Sequence, residues 1–316
     1  MSTKFENIYK KTVELGLKDK PRINKQELLS LANSLGLKNH IQKSKENGEH
    51  LVLAGNLNGR EVIFKANSNP AFTSRTLTEI YILVKLNGKL NSEFVVPKII
   101  NFDLTDNKYL WLITEKFPEK FVGGKTLKGA EILSKATLVV IRSNISIPHK
   151  DTPRLEKIKE GKQQELLQVV MDLAYEWKKG FDHNIDKLVS VLSKYPLKDF
   201  PTACVHGDLV HRHILDLEGK FAIIDWELVG GVYFWGYEPA YIYHRLFTRD
   251  GTENTANHYK KCFLDGLNEK ELLLFQKTFK PMLAQRVIGG YKDYKKGSRE
   301  YMLNTDLERI VVSNRV

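Results

Sequence analysis

A chain of 316 residues, 42% hydrophobic and 28% charged, has the composition of a globular protein with enough length for one large core or two ordinary ones. No apolar run approaches the ~18 residues of a membrane helix, and the opening residues 1–6 are too polar and acidic for a signal peptide. The net charge of +11 is concentrated at the start, where residues 1–45 hold ten Lys/Arg against four acids. No aromatic stripe interleaves these cations, so they are expected to form a solvated helical surface rather than a nucleic-acid interface. Cys204 and Cys262 lie far apart without metal-ligand spacing, which predicts free thiols and a cytoplasmic protein.

In chain order, residues 5–16 and 25–36 predict two amphipathic helices, the second with Leu28, Leu29, Leu31, Ala32 and Leu35 on one stripe and Gly36 as its stop. Residues 50–54 and 61–65 predict strands around a turn at 55–59, and residues 40–66 read together as a three-stranded meander. A helix over 73–87 carries Leu77, Ile80, Tyr81 and Val84 at i, i+3, i+4 and i+7. Strands at 98–102 and 109–114 follow, and residues 115–119 form a connector. Helices are predicted over 126–143, 161–180, 182–194, 253–265, 269–296 and 298–310, around a β-rich island at 203–227. Strands first and helices later predict two lobes, with a ligand cleft expected between them.

The island concentrates the chemistry. A loop carries His206, Asp208, His211 and His213, and a hairpin turning at 217–220 leads to Asp225. The return of the hairpin is expected to bring Asp225 near His213 and Asp208. Two carboxylates and an imidazole suit phosphoryl transfer, which needs a carboxylate on the acceptor hydroxyl and ligands for a divalent cation against the phosphates.

These residues resemble the signature of the aminoglycoside phosphotransferase and choline kinase family: His-Gly-Asp-Leu, four residues, Asn, then Ile-Asp-Trp/Phe-Glu. His206-Gly-Asp-Leu209 and Ile224-Asp-Trp-Glu227 match it, but His213 stands where the family has Asn. The resemblance implies a protein-kinase-like α+β fold, with an N-lobe of residues 1–118 built on a five-stranded antiparallel sheet and a helical C-lobe of residues 119–316. It implies Asp208 as catalytic base, Asp225 as metal ligand and ATP with Mg²⁺ as cofactors. Imidazole at position 213 makes Mn²⁺ an alternative metal. In such a fold a strand lysine holds the phosphates and a helix glutamate orients it. Lys65 and Glu79 fit, because Glu79 shares an inward face with Leu83 and Leu86.

The turn at 45–49 takes the place of the phosphate-covering loop, residues 115–117 that of the adenine hinge. Tyr233, Trp235 and Tyr237 are expected either to line an acceptor pocket or to pack the C-lobe. Glu238 is the nearest acid where the family has Asp at the start of the next helix. No long activation segment ending in Ala-Pro-Glu is present, which points to a small-molecule acceptor: an aminoglycoside, amino alcohol or sugar. His213 leaves open a catalytically impaired scaffold, and the basic start leaves open a protein or lipid-linked sugar as acceptor. The acceptor's identity, ATP against GTP, and the oligomeric state are not readable from the sequence.

Overall fold

Residues 2–44, 48–143, 163–195, 202–228 and 232–313 are described in the computed structural model of the chain. Helices α1 (Ser2–Glu14) and α2 (Lys25–Ser34) come first. The Asn24 side chain caps α2 by accepting the Gln26 N–H at 2.8 Å. The buried Leu28, Leu31 and Ala32 of α2 pack with Leu51, Leu53, Val62, Phe64, Ala66, Trp111 and Ile113 in one core. Each large side chain buried there contributes about 1.5–3 kcal/mol, so α2 is integral to this core. Lys4, Lys10 and Lys11 of α1 are exposed, as a solvated helical face requires.

Five strands build the sheet under α2: β1 (Lys38–Gln42), β2 (His50–Leu57), β3 (Arg60–Asn67), then β5 (Ile99–Thr105) and β6 (Tyr109–Glu115), with α3 (Thr73–Leu86) and the short β4 (Phe94–Val95) between. Their order is β1-β2-β3-β6-β5, antiparallel throughout. The β2–β3 turn is tighter than the expected 55–59. Pairing runs on to Leu57 opposite Arg60, and Asn58 and Gly59 turn the chain at φ 51° and 82°. Two residues in the left-handed region are what a two-residue hairpin loop requires, and Asn-Gly supplies them. In β3 the period of two places Val62, Phe64 and Ala66 in the core and turns Lys65 to the opposite face.

Later elements are α4 (Leu127–Arg142), α5 (Gln163–Lys178), α6 (Asp186–Leu192), β7 (Thr202–Cys204), β8 (Ile214–Asp216), β9 (Phe221–Ile223), β10 (Val232–Phe234), α7 (Tyr237–Arg245), α8 (Glu253–Asp265), α9 (Glu269–Asp293) and α10 (Arg299–Val312). The helix expected from 182 begins only at Asp186, because the Asn184 side chain takes the Asp186 N–H at 2.8 Å in a local turn. The first residues of the helix expected over 161–180 lie outside the described residues. Two short pairings went unforeseen: β4 beside β9 in parallel, and β7 beside β10. Strands of two or three residues leave no periodicity to read.

The chain divides into two compact units. The first takes the described residues of Met1–Lys120 and Leu215–Val229, so the segment carrying Asp225 belongs with the sheet; the second takes most of the remainder. In the second, α4 packs on α8, and α9 packs on α5, α6, α7 and α10.

Candidate active site

In the first unit, Lys65 is drawn into a cluster of charge. Its Nζ lies 2.7 Å from Glu79 Oε2, 2.5 Å from Glu227 Oε2 and 3.6 Å from Asp225 Oδ1. Helix α3 supplies Glu79, and the Thr76 hydroxyl, donating to Asn67 of β3, ties the same helix to the same strand. One turn before Glu79, Arg75 adds a second cation, 2.5 Å from Glu49 and 3.8 Å from Glu227. Burial pulls the Lys65 pKa down, but Glu79, Asp225 and Glu227 together hold it above its ordinary range, so it stays a cation. Burial raises the Glu79 pKa, with Lys65 opposing.

Asp225 is reached through a bend. It follows β9 with φ 65°, a conformation Asp tolerates better than most residues. The 3₁₀ turn Trp226–Leu228 comes next, and Trp226 Nε1 donates to Ile223 O at 2.8 Å. The bend sets two carboxylates, Asp225 and Glu227, toward one lysine. Here four carboxylates (Glu49, Glu79, Asp225 and Glu227) face two cations, and Asp225 keeps 38% of its side chain exposed. His50 lies 3.6 Å from Glu227, and Glu49, His50 and Glu227 can each offer a ligand atom within 4.8 Å of the others. A cluster with spare carboxylate charge and neighbouring cations suits a divalent ion and the phosphates it accompanies.

In the second unit, the loop after β7 carries Asp208 and His213. Gly207 sits at φ 86°, where a side chain is strained. Glu238, fully buried in the first turn of α7, accepts the Gly207 N–H at 3.0 Å and the Leu209 N–H at 3.3 Å. It therefore holds the backbone on both sides of Asp208. Burial raises the Glu238 pKa, opposed by His206 and these N–H groups. The Asp208 Oδ1 accepts from the Tyr241 hydroxyl, and Oδ2 lies 3.6 Å from Arg212 and 3.9 Å from His213. The His213 ring shares a 2.7 Å hydrogen bond between Nδ1 and the Asp208 carbonyl and stacks on His206.

The expected residues thus fall into two groups. Lys65, Glu79 and Asp225 come together in the first unit, and Asp208 and His213 in the second. Of the phosphate-covering turn, Lys45–Asn47 lie outside the described residues. In the expected hinge, the N–H groups of Glu115 and Lys116 are taken by the carbonyls of Lys98 and Glu61. Trp235 and Tyr237 are buried, against Phe263 and Tyr241; the Tyr233 side chain lies outside the description. Sequence reasoning passed over Glu227, Arg75, Tyr241 and Arg245. Glu227 stood inside the matched signature, and Tyr241 and Arg245 follow Tyr237 at intervals of four along α7.

No protein-family model matches the sequence, and no curated protein matches it. Solved structures do. Aminoglycoside phosphotransferase APH(4)-Ia is 14% identical, with 91% of this chain and 98% of that one covered at a TM-score of 0.62. The Plasmodium vivax ethanolamine kinase is 13% identical, with 93% and 91% covered at a TM-score of 0.59. An amicoumacin kinase bound to AMP-PNP and Ca²⁺ is 13% identical, with 93% and 94% covered at 0.56. The chain has the protein-kinase-like fold of these small-molecule kinases.

Proposed function

We propose that the protein is an ATP-dependent phosphotransferase that phosphorylates a hydroxyl of a small molecule. The observation that carries this reading is the burial of Lys65 between Glu79 and Glu227. A surface ion pair contributes little to stability, and nothing draws it into a cluster of spare carboxylates. Lysine and glutamate joined in this way position nucleotide phosphates in kinases, and the structural neighbours include complexes with ADP and AMP-PNP.

In this reading Asp208 Oδ2 accepts the proton of the acceptor hydroxyl. The acceptor oxygen bonds to the γ-phosphorus as the bond to the bridging oxygen breaks, and ADP leaves with that electron pair. A divalent ion would be held by Asp225 with Glu227 in the first unit, where the excess of carboxylates fits it; when bound it supplies charge neutralisation on the phosphates. Were His213 to ligate a metal, Nε2 would be the donor atom, because Nδ1 is engaged by the Asp208 carbonyl; histidine ligands are commonly fixed by such a bond through their other nitrogen. Mn²⁺ is then expected to support more activity relative to Mg²⁺ in the wild type than in His213→Asn.

The charges nearest Asp208 in its own unit are Arg212 and Arg245. Arg245 is paired with Asp250, which leaves Arg212 as the cation beside Asp208; it suits an uncharged or anionic hydroxyl compound, such as a sugar, better than a polycationic aminoglycoside. ADP release measured with ATP, Mg²⁺ or Mn²⁺ and a panel of sugars, sugar acids, choline, ethanolamine and aminoglycosides tests both statements. Release that no acceptor raises above the ATP-only rate and that Asp208→Asn leaves unchanged defeats the enzyme assignment; release stimulated best by aminoglycosides defeats the acceptor assignment.

A further inference from the structure

We infer that Tyr241 and Arg245 of α7 are positioning residues that fix which oxygen of Asp208 meets the acceptor, a role that rests on Asp208 being the base. The inference stands on a chain of contacts within the second unit. Asp208 Oδ1 accepts from the Tyr241 hydroxyl. That hydroxyl oxygen accepts from Arg245 Nη1 at 3.0 Å, and Arg245 is clamped to Asp250 by Nε at 2.8 Å and Nη2 at 2.6 Å. A second guanidinium, from the buried Arg286, lies 4.9 Å over the Tyr241 ring, and the Tyr237 ring stacks on the Tyr241 ring with centroids 6.0 Å apart.

The consequence is asymmetry in the carboxylate. Oδ1 is taken by a phenol that is itself held by an arginine. Oδ2 makes no hydrogen bond among the described residues; the basic side chains within 4 Å of it are Arg212 at 3.6 Å and His213 at 3.9 Å. Burial holds the Tyr241 pKa above its ordinary range, so the phenol remains a donor. The bond has a further effect. Arg245 Nη1 already lies 3.9 Å from Asp208 Oδ1, and the Tyr241 hydroxyl occupies the position through which the two would close into a direct ion pair. Without it, the carboxylate is free to turn onto Arg245 and is lost to the acceptor. Orientation of this kind is where a displacement of about an ångström costs orders of magnitude in rate.

Tyr241→Phe removes the hydroxyl alone. It should lower kcat on the order of tenfold or more while leaving the KM for ATP unchanged, since nucleotide contacts are untouched. The deciding comparison repeats the substitution in an Asp208→Asn background, where a positioning residue has nothing left to position and no further loss is expected. A purely packing role would instead multiply the loss equally in both backgrounds and lower the melting temperature in proportion. Arg245→Gln, which keeps Tyr241 but removes its donor, should give a smaller fall in kcat at the same KM for ATP. Activity of Tyr241→Phe within about twofold of wild type, with Asp208→Asn severely impaired, overturns the inference and leaves the base intact. Full activity of Asp208→Asn overturns the base itself.

Discussion

In the first unit two cations, Lys65 and Arg75, face four carboxylates; in the second the Asp208 carboxylate is faced by Arg212, Arg245, the Tyr241 hydroxyl and the His213 ring. The first arrangement has negative charge to spare and gathers its members from β3, α3 and the bend after β9, far apart in sequence. The second is one loop, pinned at the backbone by Glu238 and at the side chain by Tyr241, both from α7. Under the proposed function a cluster with surplus carboxylate would be completed by a cation and the polyphosphate that accompanies it. A carboxylate held between donors has its orientation set before any ligand arrives. Under the proposed function the two regions would divide the reaction into binding the phosphates and directing the acceptor, and substitutions should separate them.

The largest separation is expected from Asp208→Asn. It should lower kcat by roughly 10²–10⁴, the contribution typical of a positioned general base, while the KM for ATP stays unchanged. Steady-state kinetics with both substrates varied is the measurement. A parallel rise in the KM for ATP would mean that the aspartate loop also binds nucleotide.

Lys65→Ala should act on the other side of the division. Removing one partner of a buried ion pair leaves Glu79 and Glu227 buried without their cation, at a cost of about 3–5 kcal/mol. Denaturant unfolding should show that loss, and nucleotide titration should show weakened ATP binding. Retention of both stability and ATP affinity would mean that Lys65 is a bystander in the cluster. Glu238→Gln comes next. It replaces one accepting oxygen by an NH₂ group facing a backbone N–H, and leaving that buried donor without its acceptor costs about 1–3 kcal/mol. Because Glu238 spans the residues on either side of Asp208, kcat should fall with stability while ATP binding holds.

Legibility in the sequence followed the same division. The aspartate loop lies within one short stretch, so its residues could be picked out together and their roles followed from the family resemblance, and the strand and helix carrying Lys65 and Glu79 had clear periods of two and 3.6 residues. What could not be read were contacts whose two ends lie far apart. Tyr241 reaches Asp208 across 33 residues, and Glu227 reaches Lys65 across 162. A tyrosine in an aromatic-rich helix gives no sign of whether its hydroxyl or its ring is what counts. His213 was the reverse case: its departure from the family residue was plain, but only the hydrogen bond from its ring to the Asp208 carbonyl shows which nitrogen is engaged.

The two regions share one feature that acid should expose. Each buries a histidine beside cations, His50 near Lys65 and Arg75 and His244 near Arg286 and Arg245. Burial first, and those cations second, push both pKa values down to about 3. The buried His244 is neutral near pH 7, hydrogen-bonded between Nε2 and the Asn304 side chain at 2.8 Å. Once unfolded it regains its ordinary pKa near ~6.5 and takes up a proton below that value. The unfolded state then binds more protons than the native one, so stability falls as pH drops from about 6.5 toward 3. Over the interval from about pH 7 to pH 5 each such histidine removes about 2 kcal/mol. Melting temperatures across that range should decline in the wild type. His244→Gln keeps an amide toward Asn304 and cannot titrate, so it should be less stable near pH 7 yet decline less steeply, by about one proton's worth of slope. An unchanged slope would mean that His244 is reached by solvent and protonated in the folded protein.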